Sequence, residues 1–333
     1  MVFIIFGLAA IITVLAAIEL SNSADILSKK TSLGGFLVGT LLLGGATSLP
    51  EFTTSISSIV INNPDIAVGN LLGSNMFNIF IIACFDLYYR KKRLFELASP
   101  GHMYTAGLGL TLSAMTLVAL LQKSEYTVLW IGADSLLIVF IYGAGMFVIS
   151  RVTTELTDNQ VMALDFGEKV KENSKSTPSL LRALFTFFIA AIIIMITGTL
   201  LSVSGDTIAD ITGIGSTFIG SFLMAATTSL PEAVAVLIAL RLRNVNLAIG
   251  SILGSNIFNL LILVGTDIIY TRNPIFAVVA PLHEITAMTV TGLSVLITLS
   301  LMRNKVKSTL SYMIPSLLII IGYFIAFYLI FNG

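Results

Sequence analysis

One pattern, written twice, limits this chain more than anything else in it. Ala46-Thr47-Ser48-Leu49-Pro50-Glu51 returns 181 residues later as Thr227-Thr228-Ser229-Leu230-Pro231-Glu232. Gly73-Ser74-Asn75-Met76-Phe77-Asn78 returns at the same offset as Gly254-Ser255-Asn256-Ile257-Phe258-Asn259. Without a gap, that shift also pairs Asp25 with Asp206, Asp86 with Asp267, Tyr89 with Tyr270 and His102 with His283. Chance likeness between apolar segments gives scattered Leu and Ile matches, not two ordered polar motifs at one offset. Each motif lies inside an apolar stretch, and a carboxylate at bilayer depth costs several kcal/mol, roughly 3 by insertion scales. Glu51 and Glu232 are therefore functional candidates from the outset.

The apolar setting is not in doubt. The chain is 56% hydrophobic and 11% charged, with mean hydropathy +0.97, a composition that belongs in a bilayer rather than in a soluble domain. Its formal net charge is zero, which gives no argument for a nucleic-acid partner. Cys84 is its single cysteine, which excludes an intramolecular disulfide and a multi-cysteine metal site. The first apolar run lacks a basic start and a small-residue cleavage site, and reads as a retained helix.

Runs of spanning length lie at 2–20, 33–60, 66–88, 100–122, 126–150, 180–202, 214–240, 247–270, 281–302 and 309–331. About 20 apolar residues cross the hydrocarbon core as a helix, so these make ten spans. Spans two, three, seven and eight carry the Gly, Pro and polar interruptions. Broken backbone is tolerated in lipid only where it faces protein or a hydrated cavity. Those four spans belong at the centre and the others around them.

Five spans per half is an odd number, so the second half enters the membrane in the opposite sense. The expected fold is an all-α membrane protein of ten transmembrane helices, two inverted five-helix repeats with discontinuous central helices. Its parts are residues 1–150 (motif region about 39–89), a cytoplasmic linker at 151–178, and residues 179–333 (motif region about 220–270). Basic residues set the orientation. Lys29, Lys30, Arg90, Lys91, Lys92, Arg93, Arg151, Lys169, Lys171, Lys175, Arg182, Arg241, Arg243, Arg303, Lys305 and Lys307 follow odd-numbered spans, against Lys123 and Arg272 on the other side. The positive-inside rule puts both termini outside.

Within a helical frame Thr47 and Ser48 share a face with Glu51, and Ser74 shares one with Asn78; the second half repeats this with Thr228, Ser229, Glu232, Ser255 and Asn259. Pro50 and Pro231 lack an N–H and free nearby carbonyls to act as ligands. The inventory is all oxygen, which suits hard cations such as Ca²⁺ and Na⁺. Two carboxylates neutralise one Ca²⁺. Asp86 and Asp267, near span ends, read as interfacial, and Asp134 has no repeat partner. His102, His283 and Glu284 sit at helix starts, and Gly73 and Gly254 read as packing positions or hinges.

The paired motifs resemble the two alpha-repeats of the cation/calcium exchanger superfamily, prokaryotic sodium/calcium exchangers in particular. The likeness extends over all ten spans. It implies a secondary antiporter, not an enzyme, moving Ca²⁺ against about three Na⁺ by alternating access, with no cofactor. It implies four cation subsites in a diamond. Glu51 and Glu232 hold Ca²⁺ with the Thr47 and Thr228 carbonyls. Ser48, Ser74, Ser229 and Ser255 line the outer Na⁺ subsites with the Gly44 and Ala225 carbonyls, and Asn78 and Asn259 flank the middle. Its partners are the two ions and the bilayer; the expected unit is a monomer in a prokaryotic plasma membrane.

Three positions depart from the pattern, in two ways. Asn259 stands where many relatives carry Asp, which argues against potassium co-transport. Ala46 and Thr227 stand where Gly usually precedes Thr-Ser. A Ca²⁺/H⁺ antiporter on the same fold is the principal alternative, disfavoured by the retained Ser and Thr oxygens. A K⁺-dependent exchanger and an intramembrane enzyme follow; there is no His-Glu-x-x-His zinc motif.

Overall fold

The computed structural model describes residues 1–31, 33–164, 179–212, 224–303 and 306–332. In the first half the helices are α1 (Val2–Lys30), α2 (Gly34–Thr47), α3 (Leu49–Val60), α4 (Pro64–Tyr88), α5 (Gly101–Gln122) and α6 (Ala133–Leu164). In the second they are α7 (Leu180–Thr212), α8 (Met224–Thr228), α9 (Leu230–Arg241), α10 (Val245–Ile269), α11 (Leu282–Met302) and α12 (Thr309–Asn332). Eight of the described helices are long and apolar enough to cross a membrane, nine spans when α2 and α3 count as one. The start of the seventh expected span lies outside the described residues; its remainder is α8 and α9.

The interrupted spans are indeed central. The apolar windows of α4 and α10 are 83% buried, against 17–44% for the other spanning helices. Among the described spanning helices these two are the most enclosed by protein. Both begin alike. Asn63 and Asn244 accept hydrogen bonds from the N–H groups of Ile66 (3.4 Å) and Leu247 (3.0 Å), satisfying one of the free donors at each helix start.

Inversion is visible in the bonds between loops. At the start of α4, Asp65 accepts the Ala280 N–H (2.7 Å), a residue beyond the end of α10. At the start of α10, Asn246 accepts the Ser99 N–H (2.8 Å), a residue beyond the end of α4. These are the same pair under the 181-residue shift, at opposite ends of two antiparallel helices.

The close approach of α2 to α10 needs glycine. A Cβ on Gly254 would lie 2.0 Å from the Thr40 carbonyl oxygen, and one on Gly44 would lie 2.7 Å from the Ser255 nitrogen. Gly254 is thus a packing position within a regular helix. Around this centre α1 lies along α7 and also packs on α9, while α7 packs on α3. Thr13 and Thr197 share a hydrogen bond (2.7 Å), Ser21 donates to the Ala235 carbonyl (3.0 Å), and Thr53 meets Thr199 (2.8 Å). Such hydroxyl bonds link helices where lipid supplies no hydrophobic drive.

Several boundaries differ from the sequence reading, among them the end of the sixth span, where α7 runs past residue 202 to Thr212. The first helix continues past residue 20 to Lys30, because Asp25 is buried and bonded to Asn244 (2.9 Å) and Lys29 (2.6 Å). The fifth span begins at Ala133, not 126. Residues Thr127–Val128 and Ile131–Gly132 form a two-stranded antiparallel hairpin, β1 and β2, turning through Leu129 at φ +63°. The expected linker is helical as far as Leu164, and residues 165–178 lie outside those described.

Candidate cation site

Each motif folds as a joint. The backbone leaves helical geometry at Ser48 (φ −81°, ψ 4°) and at Ser229 (φ −84°, ψ 8°). Pro50 and Pro231, second residues of α3 and α9, withhold the N–H that a continuous helix would give to Ala46 and Thr227. Helical bonding resumes with Phe52 N–H on the Ser48 carbonyl and Ala233 N–H on the Ser229 carbonyl, both 3.1 Å. The bend between α2 and α3 is 41°. Upstream of it, Val38–Leu43 is wound as a π-helix, a local widening often found at functional sites. No sequence signal had separated that stretch from ordinary helix.

The joints place Glu51 and Glu232 in the first turns of α3 and α9, both fully buried. Ser229 donates to Glu51 Oε1 (3.2 Å), and Ser255 donates to Glu232 Oε1 (2.9 Å). Ser48 and Ser255 share a hydroxyl–hydroxyl bond of 2.5 Å, and Ser74 meets Thr228 at 3.3 Å. Thr228 also donates to Asn70 Oδ1 (3.3 Å). All the hydroxyls expected from the motifs, Thr47, Ser48, Ser74, Thr228, Ser229 and Ser255, are buried in this cluster with both acids.

The two outer carbonyls are already engaged. Gly44 accepts the Ser48 N–H (3.2 Å), the Ser48 hydroxyl (3.0 Å) and the Thr47 hydroxyl (3.2 Å). Ala225 accepts the Ser229 N–H (3.0 Å) and the Thr228 hydroxyl (3.3 Å). An ion on either carbonyl must turn those hydroxyls away.

At the centre the balance of donors and acceptors is uneven. Glu51 Oε2, Glu232 Oε2, Asn78 Oδ1 and Asn259 Oδ1 are all buried with no hydrogen-bond partner. Buried polar atoms are nearly always paired, and these four are acceptors only, related in twos by the repeat. A group of unpaired oxygens that includes two acids is chemistry suited to a cation; the Asn70 Nδ2 donor near it is unpaired as well. Among the described residues no cluster of three His, Cys, Asp or Glu side chains exists, so nothing here offers the imidazole or thiolate set of a zinc centre.

Two asparagines outside the expected set also meet here. Asn256 accepts from Asn78 and Asn75 accepts from Asn259. They stand in the motif in plain view; nothing in the spacing distinguished them from packing residues.

Asp86 and Asp267 sit near the ends of α4 and α10, as expected, but face protein rather than solvent. Both are fully buried. Tyr312 and Ser316 (2.7 Å) donate to Asp86, while the N–H groups of Gly132 (2.9 Å) and Ile275 (2.6 Å) donate to Asp267. Asp86 fastens α12 to α4 and also bonds the Leu94 backbone in the loop after α4, while Asp267 holds β2 and the loop after α10. His283 lies 3.1 Å from Asp65 and Lys123 3.5 Å from Glu284, both at the rim. Asp134 opens the first turn of α6, partly exposed.

A family profile for the sodium/calcium exchanger protein matches residues 1–151 and 182–332. The chain belongs to that family. Among curated relatives, the inner membrane protein YrbG of Escherichia coli is 27% identical over 270 residues, 80% of this chain and 78% of its own. The sodium/calcium exchanger MaX1 of Methanosarcina acetivorans is 24% identical over 309 residues, 79% and 81% of the two chains. Crystals of the sodium-calcium exchanger NCX_Mj, soaked with Na⁺ and Ca²⁺ or Na⁺ and Sr²⁺, give TM-scores of 0.68 and 0.70. Identities there are 20% and 19%, with 97–98% of each chain covered. As an exchanger-family protein the chain is a multi-pass membrane transporter rather than an enzyme, with the fold of ten helices in two inverted five-helix repeats.

Proposed function

We propose that this chain exchanges Ca²⁺ for Na⁺ by alternating access, holding the ions between Glu51 and Glu232. The supporting observation is the set of four unpaired buried oxygens, two from carboxylates and two from amides. Two carboxylates neutralise one Ca²⁺, and a desolvated divalent ion needs that compensation. The Thr47 and Thr228 carbonyls complete its shell. Sodium enters as several singly charged ions on the outer oxygens of Ser48, Ser74, Ser229 and Ser255, with the Gly44 and Ala225 carbonyls released from their hydroxyls. Six hydroxyls packed about two acids favour sodium coupling over proton coupling, which needs no such oxygens. If more than two Na⁺ move per Ca²⁺, each net charge couples to the membrane potential at about 2.3 kcal/mol per 100 mV.

The site is complete within one chain, which supports a monomeric unit made of the halves 1–150 and 179–333, joined by a cytoplasmic tether at 151–178. The end of the bundle carrying Lys29, Lys30 and Arg93 faces the cytoplasm, with both termini outside. The relatives named above support a prokaryotic plasma membrane.

Radiolabelled Ca²⁺ uptake into Na⁺-loaded proteoliposomes tests this. Uptake should follow the outward Na⁺ gradient and vanish in Glu51→Gln and Glu232→Gln. Uptake driven by an acid interior alone would transfer the mechanism to proton coupling.

A further inference from the structure

The Asn75 and Asn256 side chains reach the other half of the protein rather than the acids. Asn75 Nδ2 donates to the Asn256 backbone carbonyl (3.1 Å), and Asn256 Nδ2 donates to the Asn75 backbone carbonyl (3.4 Å). Their amide oxygens then accept from the neighbouring half. Asn259 Nδ2 donates to Asn75 Oδ1 (3.0 Å), and Asn78 Nδ2 donates to Asn256 Oδ1 (3.1 Å). The result is a closed set of four side chains and two carbonyls, related by the repeat.

The order of these bonds sets which way each amide faces. A backbone carbonyl only accepts, so Asn75 must turn its NH₂ toward the Asn256 carbonyl. Its Oδ1 then faces Asn259, which must answer with its own NH₂. That leaves Asn259 Oδ1 aimed away from Asn75, and it is buried without a partner. The same steps, starting from the Asn75 carbonyl, leave Asn78 Oδ1 unpaired. An amide turned the other way would offer two N–H groups to a cation and repel it.

We propose that Asn75 and Asn256 are positioning residues for ion binding: they lock Asn259 and Asn78 with the amide oxygen, not the NH₂, toward the cation. This rests on the site proposed above. It also gives Asn259 a reason of its own. A carboxylate at 259 would set a charged oxygen against Asn75 Oδ1, whose orientation the Asn256 carbonyl already holds. In this chain, Asp at that position does not simply add a ligand charge; it breaks the set.

Equilibrium Ca²⁺ binding to the purified full chain tests the assignment through a double-mutant cycle. Asn75→Ala should weaken Ca²⁺ about 10-fold or more, the usual cost of removing a group that orients a metal ligand. Asn259→Ala should weaken it similarly. Asn75→Ala in the Asn259→Ala background should then cost little further, because its effect passes through Asn259. Equal losses in both backgrounds, or no loss in the first, would overturn the assignment. A general packing role predicts additive losses and lower ion-free thermal stability; the positioning role predicts coupling. If Asn75→Ala does not fold, Asn256→Ala against Asn78→Ala is the same test on the other half. Glu51→Gln is measured alongside. Unchanged Ca²⁺ binding there would refute the site itself, whereas loss there with additive asparagine effects would refute the positioning role alone.

Discussion

Glu51 and Glu232 occupy equivalent places in two nearly identical motifs, yet they are held differently. The leading hydroxyl on Glu51 is Ser229, across the repeat, with Thr228 and Ser74 beside it; the leading hydroxyl on Glu232 is Ser255, from its own half, with Thr47 reaching it across the repeat. Ser255 also bonds Ser48, making it a bridge between the halves. Its equivalent, Ser74, instead meets Thr228 at 3.3 Å. The same residues thus adopt two arrangements at once. That is what an inverted repeat needs for alternating access: a symmetric site would present the same face to both sides. The proposed exchange cycle predicts that the two grips swap in the opposite state.

Seven substitutions sharpen or break this comparison. The largest effect should come from Gly254→Ala, which puts a methyl 2.0 Å from the Thr40 carbonyl oxygen and forces α2 off α10. A destabilisation of about 3 kcal/mol, at the upper end for overpacking, should appear as a lower Tm or loss of folded protein. Gly265→Ala, in the same helix with open space around it, should leave Tm unchanged or raise it. Next come Asp86→Asn and Asp267→Asn. Each weakens a loop anchor by about 1–3 kcal/mol and should lower Tm without moving Ca²⁺ affinity. A changed affinity would mean the loop anchors reach the ion site.

The comparison between the acids is probed most directly by Ser255→Ala beside Ser74→Ala. Losing both the 2.9 Å and the 2.5 Å bond should cost about 1.5 kcal/mol or roughly tenfold in Ca²⁺ affinity, the Ser74 change less than half that energy. Equal effects would show that the two halves interconvert freely when unloaded. Smallest is Lys123→Ala at the rim, where a 3.5 Å pair with Glu284 is part-exposed on both sides. Its effect on Tm should stay within about 0.5 kcal/mol.

What could be read beforehand follows from what is local. The offset of 181 residues, the proline behind each Thr-Ser-Leu and the acids at bilayer depth are patterns in one dimension, and they led to the joints at Ser48 and Ser229. Orientation of side chains across the repeat is not local. Asn75 and Asn78 look alike in the sequence, and only the partner half decides that one anchors and the other is left with a free oxygen. Burial at span ends is similarly tertiary: Asp86 sits where an interface was expected, but Tyr312 and Ser316, more than two hundred residues away, enclose it. The hairpin at 127–132 is as apolar as a helix start, and its positive φ at Leu129 leaves no residue-type signature. The seven-residue advance in the start of span five has that cause.

The central claim is that the two glutamates jointly bind one Ca²⁺ which sodium displaces. Calcium titration of the purified chain at rising Na⁺, by calorimetry, measures that directly. The account predicts one Ca²⁺ per chain, an apparent affinity falling more steeply than the first power of Na⁺ concentration, and no binding in Glu51→Gln or Glu232→Gln. Retained Ca²⁺ binding in either variant, or an affinity indifferent to Na⁺, would contradict it.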